Sequence, residues 1–133
     1  IEWFDELSLT KLQLFKADYP DAFAEVEKCL EDEIFVKNFI KPIDLVQLWR
    51  ERAFDVVIDG EMVSGVFDRV HLFSDNAEII DFKSDKIGGA GVKLHIFQLQ
   101  SYRKALAKLT GLDESVIKCK LFFTYSREVL EVE

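Results

Sequence analysis

Along the first third of the chain, Phe23, Val26, Leu30 and Ile34 recur three and four residues apart, and Pro20 stands where a helix start tolerates proline. This pattern predicts a helical region over residues 1–47. From Leu48 to Lys83 the period shortens to that of strands, broken at Asp59-Gly60 and at Ser74-Asp75-Asn76, both strong turn sequences. A three-stranded antiparallel meander is predicted. After a loop containing Gly88, Gly89 and Gly91, residues Val92, Ile96, Leu99, Leu106 and Leu109 trace one face of a long helix that should stop near Gly111. Ile117 to Thr124 then reads as a buried strand and Glu128 to Val132 as an edge strand. The expected fold class is α/β, with a helical region before the meander and a long helix and further strands after it.

The turns also predict a register. With Asp59-Gly60 as a two-residue loop, Ile58 faces Glu61 and Glu51 falls opposite Asp68; with Ser74-Asp75 closing the next hairpin, Asp68 falls opposite Asp81. Directly opposed residues have Cβ atoms about 4.5–5.5 Å apart, and like charges so close destabilise a sheet unless something neutralises them. A divalent cation would do so, and oxygen ligands of this kind suit Mg²⁺ or Mn²⁺. Lys83 should share the face of Asp81, roughly 6.6 Å further along the strand, where an ammonium can orient water or offset developing charge. On the following helix Gln98 and Tyr102 are one turn apart, with His95 a turn earlier, and offer donors to a reacting phosphate or to Lys83.

Composition narrows the class. With 133 residues and 49% hydrophobic content the chain can bury one core, so residues 1–133 are expected to form a single domain, and no apolar run reaches the length of a membrane span. Cys29 and Cys119 form no Cys-x-x-Cys pair, so they read as core fillers in a cytoplasmic protein. The apolar Trp3, Phe4 and Leu7 follow directly on Ile1 without a capping residue, as expected of an N-terminally truncated fragment of a larger chain. A net charge of −8 by itself favours a protein-interaction module over a nucleic-acid binder.

The motifs outweigh that charge. Gly65-Val-Phe-Asp68-Arg69, Ile79-Ile-Asp81-Phe-Lys83 and Gln98-Leu-Gln-Ser-Tyr102 together resemble the G-x-x-D-R, D-x-K and Q-x-x-x-Y series of RecB-type nucleases in the PD-(D/E)XK superfamily. Glu51, in Arg50-Glu-Arg-Ala-Phe54, matches the glutamate that commonly precedes them, and Leu109 to Leu112 looks like AddA-type helicase-nucleases. The resemblance covers residues 48–124. It implies a restriction-endonuclease-like core over residues 48–133 with a mixed sheet flanked by helices, metal ligation by Asp68, Asp81 and the carbonyl of Phe82, catalysis by Lys83, and support from Gln98, Tyr102 and Glu51. The implied activity is Mg²⁺-dependent (or Mn²⁺-dependent) hydrolysis of DNA by an exonuclease V-like domain in double-strand-break repair. The implied partners are helicase domains of the same polypeptide and an AddB- or RecC-like subunit. The family usually carries a histidine in a preceding helix, and residues 1–47 contain none. A catalytically inactive scaffold or DNA-guiding module of the same fold is the alternative expectation. His71, of opposite strand parity to Asp68, reads as structural or exposed.

Overall fold

The computed structural model describes residues 13–14, 16–33, 37, 42–84 and 91–133. The chain divides into two units, Ile1–Phe39 and Ile40–Glu133. In the first, helix α1 (Pro20–Glu31) has its proline in the opening turn, where the missing N–H leaves no intrahelical bond unmade. Of the expected stripe, Val26 is exposed and Cys29 is the buried residue. Ile34 lies outside the described residues, as do Trp3, Phe4, Leu7, Gly88 and Gly89.

The second unit runs β1 (Gln47–Ile58), β2 (Glu61–Leu72), β3 (Ala77–Lys83), helix α2 (Val92–Thr110), a 3-10 turn (Glu114–Val116), β4 (Ile117–Phe123) and β5 (Glu128–Val132). These five strands form one mixed sheet in chain order, antiparallel except between β3 and β4. Parallel neighbours need a long crossover, which α2 supplies. Both hairpins have the predicted register: Ile58 pairs with Glu61, and the Phe73 N–H donates to Asn76 O at 2.9 Å. The first turn closes because Asp59 and Gly60 both adopt positive φ, 51° and 80°.

β3 and β4 are buried on both faces, which is why Ile79-Ile80 and Leu121-Phe122-Phe123 read as continuous apolar runs. Against one face α2 buries Leu99, Tyr102, Ala105 and Leu106. Leu109, expected on that stripe, is 46% exposed, so the buried face ends at Leu106 and recruits Tyr102 and Ala105 instead. The helix stops where Gly111 turns left-handed (φ 78°) and donates its N–H to Ala107 O. Arg103 braces α2 on the sheet, donating to Ile117 O (3.1 Å) and Val132 O (2.6 Å). Cys119 is fully buried, and burial pushes its thiol up to about 11.

Two departures from a regular sheet shape the region around Asp68. In β1 the residues packed on the core change from even positions (Phe54, Val56) to odd (Trp49) across Glu51, whose φ is 45°. In β2 they change from odd (Val63, Phe67) to even (Val70, Leu72) across Asp68. The register is the same on both sides, Arg50 with Arg69 and Arg52 with Phe67, so both strands bend at one level without inserting a residue.

The second departure is a close approach. A Cβ on Gly65 would lie 2.5 Å from the Tyr102 hydroxyl oxygen and 2.7 Å from its Cζ, so the tyrosine ring occupies the space that any other residue would fill. That ring meets Phe54 and Phe67 edge-on, with centroids at 5.1 and 5.6 Å, while the two phenylalanines stack at 4.4 Å. Gly65→Ala must push α2 and Tyr102 outward and should cost about 1–3 kcal/mol of stability. Gly60→Ala meets nothing within 4 Å and should cost roughly 1–2 kcal/mol through its positive φ alone. Urea denaturation of both variants checks this, and only Gly65→Ala should alter the near-ultraviolet circular dichroism of the aromatic cluster.

Candidate active site

Asp81 and Lys83 alternate with Phe82 on β3 and pair with Leu121 and Phe123, residues of the core under α2, so both stand on the helix-bearing face at the end of the sheet. Lys83 Nζ lies 2.9 Å from Asp81 Oδ2 and donates to Gln98 Oε1 at 3.4 Å. Gln98 Nε2 in turn donates to the Tyr102 hydroxyl at 3.4 Å. The backbone of Lys83 is clamped as well, its carbonyl accepting the Thr124 N–H (2.9 Å) and hydroxyl (3.3 Å). Thr124 has no counterpart among the sequence motifs, because only the parallel β3–β4 pairing brings it to Lys83.

The β2–β3 ladder ends at Arg69 with Ile80, one step before Asp68 would face Asp81. There the Asp68 carboxylate takes the place of a backbone acceptor: its Oδ2 receives the Phe82 N–H at 2.9 Å. Asp68 and Asp81 therefore meet as side chains across a splayed strand end, not as a ladder pair. Glu51 does not join them. It is exposed, left-handed and out of the ladder, and among the described residues no group of three or more His, Cys, Asp or Glu comes together. A flat row of opposed carboxylates would suffer repulsion, and with Glu51 left-handed and out of the ladder that row does not form.

Asp81 is 6% exposed, and burial, then the neighbouring Asp68 charge, raises its carboxyl above the usual range despite the Lys83 ammonium. Its Oδ2 is ion-paired with that ammonium at 2.9 Å. Two carboxylates, one of them buried, brought together at a sheet end fit a divalent cation, for which one or two carboxylates suffice when water and phosphate complete the shell. Phe82 contributes its N–H to Asp68, and its side chain meets Phe122 edge-on at 5.7 Å. His95 is half-buried on α2.

The opposite face of β2–β4 carries a different polar group. His71 is 2% exposed, and its Nε2 accepts from Arg69 Nε at 2.8 Å, which assigns the ring proton to Nδ1. Nδ1 lies 3.9 Å from Glu78 Oε2, too far for a hydrogen bond, while Lys120 Nζ holds Glu78 Oε1 at 2.7 Å. Burial pushes the Glu78 carboxyl upward, but its contacts with the His71 ring and the Lys120 ammonium prevail and hold it down at about 2. His71 is thus a buried structural residue. Two grooves that share Arg103, Glu114 and Glu133 lie along another flank of α2 and include none of Asp68, Asp81, Lys83, Gln98 and Tyr102.

The two carboxylates predict opposite pH dependences. The raised folded value of Asp81 means that its stabilising contribution is full below its unfolded value of 3.8 and is lost as pH rises through the folded one. The depressed value of Glu78 makes its contribution full above 4.5 and lost between 4.5 and about 2. In metal-free urea titrations, wild-type stability should fall relative to Asp81→Asn as pH rises from 3.8, and should fall relative to Glu78→Gln as pH drops below 4.5.

No family model matches this chain, and no curated protein matches it. Among solved structures the chain is similar to the crystal structure of SSO0001, at 14% sequence identity and a TM-score of 0.42 over 92% of this chain. It spans 61% of the length of that chain. A likeness at this level carries no argument about function.

Proposed function

We propose that this chain hydrolyses DNA phosphodiester bonds with a divalent cation, Mg²⁺ or Mn²⁺, as a RecB- or AddA-like PD-(D/E)XK nuclease domain with a restriction-endonuclease-like core. One observation carries the reading. Three motifs separated in sequence, around Asp68, Asp81-x-Lys83 and Gln98-x-x-x-Tyr102, are joined by contacts at one end of the sheet. Solvated surface residues would have no reason to converge in this way.

Asp68 and Asp81 would hold the cation, which when bound lowers the pKa of water and polarises the phosphoryl oxygen. The chain's own groups do the rest. Lys83, held between Asp81 and Gln98, presents an ammonium where negative charge develops on the phosphate. Gln98 keeps that ammonium directed along the sheet face, and Tyr102, locked between Phe54, Phe67 and Gly65, fixes Gln98. In this reading helicase domains of the same polypeptide and an AddB- or RecC-like subunit deliver the strand. The exposed position of Glu51 favours a second reading, a nuclease fold retained as a scaffold or DNA guide.

Mn²⁺ or Mg²⁺ at about 100 times its dissociation constant should stabilise the wild type by roughly 2.7 kcal/mol and leave Asp68→Ala/Asp81→Ala unchanged, measured by thermal melting. With metal present, Lys83→Ala should slow cleavage of a labelled oligonucleotide by about a hundredfold or more. Metal-dependent stabilisation with no cleavage by the wild type would favour the scaffold; no metal response in the wild type would sink the catalytic reading.

A further inference from the structure

Arg52 lies one residue past the left-handed Glu51, at the ladder position opposite Phe67. Phe67 belongs to the aromatic cluster with Tyr102, so Arg52 stands on the face of the sheet that carries Asp81, Lys83 and Gln98. Its guanidinium carbon is 4.2 Å from the centroid of the Trp49 ring. That ring is itself positioned, 6.0 Å from Phe67 and donating its indole N–H to Gln47 Oε1 at 2.9 Å. Stacking of this kind fixes the guanidinium plane while leaving its five N–H donors available.

Arg52 is exposed, and among the described residues it makes no ion pair with a carboxylate. The chain has 25 Asp and Glu against 17 Lys and Arg, so acidic partners are plentiful. Glu78 recruits Lys120 and Asp81 recruits Lys83. A cation held against an aromatic ring and left without a carboxylate is suited to an anion that arrives from outside.

We infer that Trp49 and Arg52 form a phosphate-binding platform for the nucleic-acid strand, with Arg52 gripping a backbone phosphate beside the one that Asp68 and Asp81 address. This inference rests on the phosphodiesterase reading above and names how a chain of net charge −8 holds a polyanion at that site. Phosphate contacts position a strand without reading its sequence, so binding through Arg52 is independent of base identity and sensitive to salt.

The test is fluorescence anisotropy of a labelled single-stranded oligodeoxynucleotide of about 15 nucleotides, titrated in EDTA over a range of salt so that no metal-dependent cleavage intervenes. Arg52→Gln should weaken binding about tenfold and reduce the slope of log affinity against log salt by about 0.7, the loss of one single-strand phosphate contact. Arg52→Lys, which keeps the charge, should keep the slope, so a folding defect cannot mimic the result. Lys104→Gln, which removes one exposed charge from α2, should change neither quantity. Wild-type binding with an unaltered affinity and slope in Arg52→Gln, or an equal loss in Lys104→Gln, overturns the platform and leaves the nuclease reading standing. Absence of strand binding by the wild type at low salt likewise overturns the platform, while the nuclease reading stands or falls on the metal-dependent melting above.

Discussion

The packing of Tyr102 on Gly65 sets how near α2 comes to β2, because a single methyl group on the strand would meet the tyrosine hydroxyl at 2.5 Å. With the glycine in place, the ring drops between Phe54 and Phe67 and its hydroxyl reaches Gln98, which reaches Lys83. The helix thus acts as a ruler. Its height over the sheet decides whether a side chain on α2 can touch the end of β3. A core contact and a polar contact are therefore one construction, and aromatic burial supplies the rigidity that a polar group on a helix surface lacks by itself.

Charge is arranged differently on the two faces of the same strands. On one face Arg69, His71, Glu78 and Lys120 are set against each other, and Glu78 is ionised well below its ordinary range as a result. On the other, Asp68 and Asp81 share the end of the sheet with Lys83, and Asp81 is pushed the opposite way by burial and by its neighbour. In the first arrangement the carboxylate is paired with an ammonium at 2.7 Å. In the second, burial and a like charge both oppose ionisation of Asp81, and the Lys83 ammonium offsets only part of that.

The bend shared by β1 and β2 links these two aspects. A flat pair of strands would set Glu51 against Asp68; the left-handed backbone at Glu51 and the change of buried parity across Asp68 avoid that. A left-handed non-glycine residue inside a strand costs free energy and persists only where its surroundings impose it. The same bend leaves Trp49 and Arg52 on the face of Asp81 and Lys83.

The sequence by itself determined the elements, the two hairpin registers and the end of α2, because turn residues with fixed dihedral demands and apolar periodicity are local properties. Asp59-Gly60 dictates which residues of β1 and β2 are partners, and Gly111 dictates where the helix stops. It also placed Asp81, Lys83, Gln98 and Tyr102 at compatible positions. Only the tertiary structure decided that the row of three carboxylates is broken, that Asp68 bonds the Phe82 N–H instead of facing Asp81 in a ladder, that Thr124 clamps Lys83, and that Leu109 is left exposed. Those outcomes depend on strand bends and on helix height. The Tyr102 ring against Gly65 sets the helix height and the left-handed backbone at Glu51 marks the bend, and neither is a function of spacing along the chain.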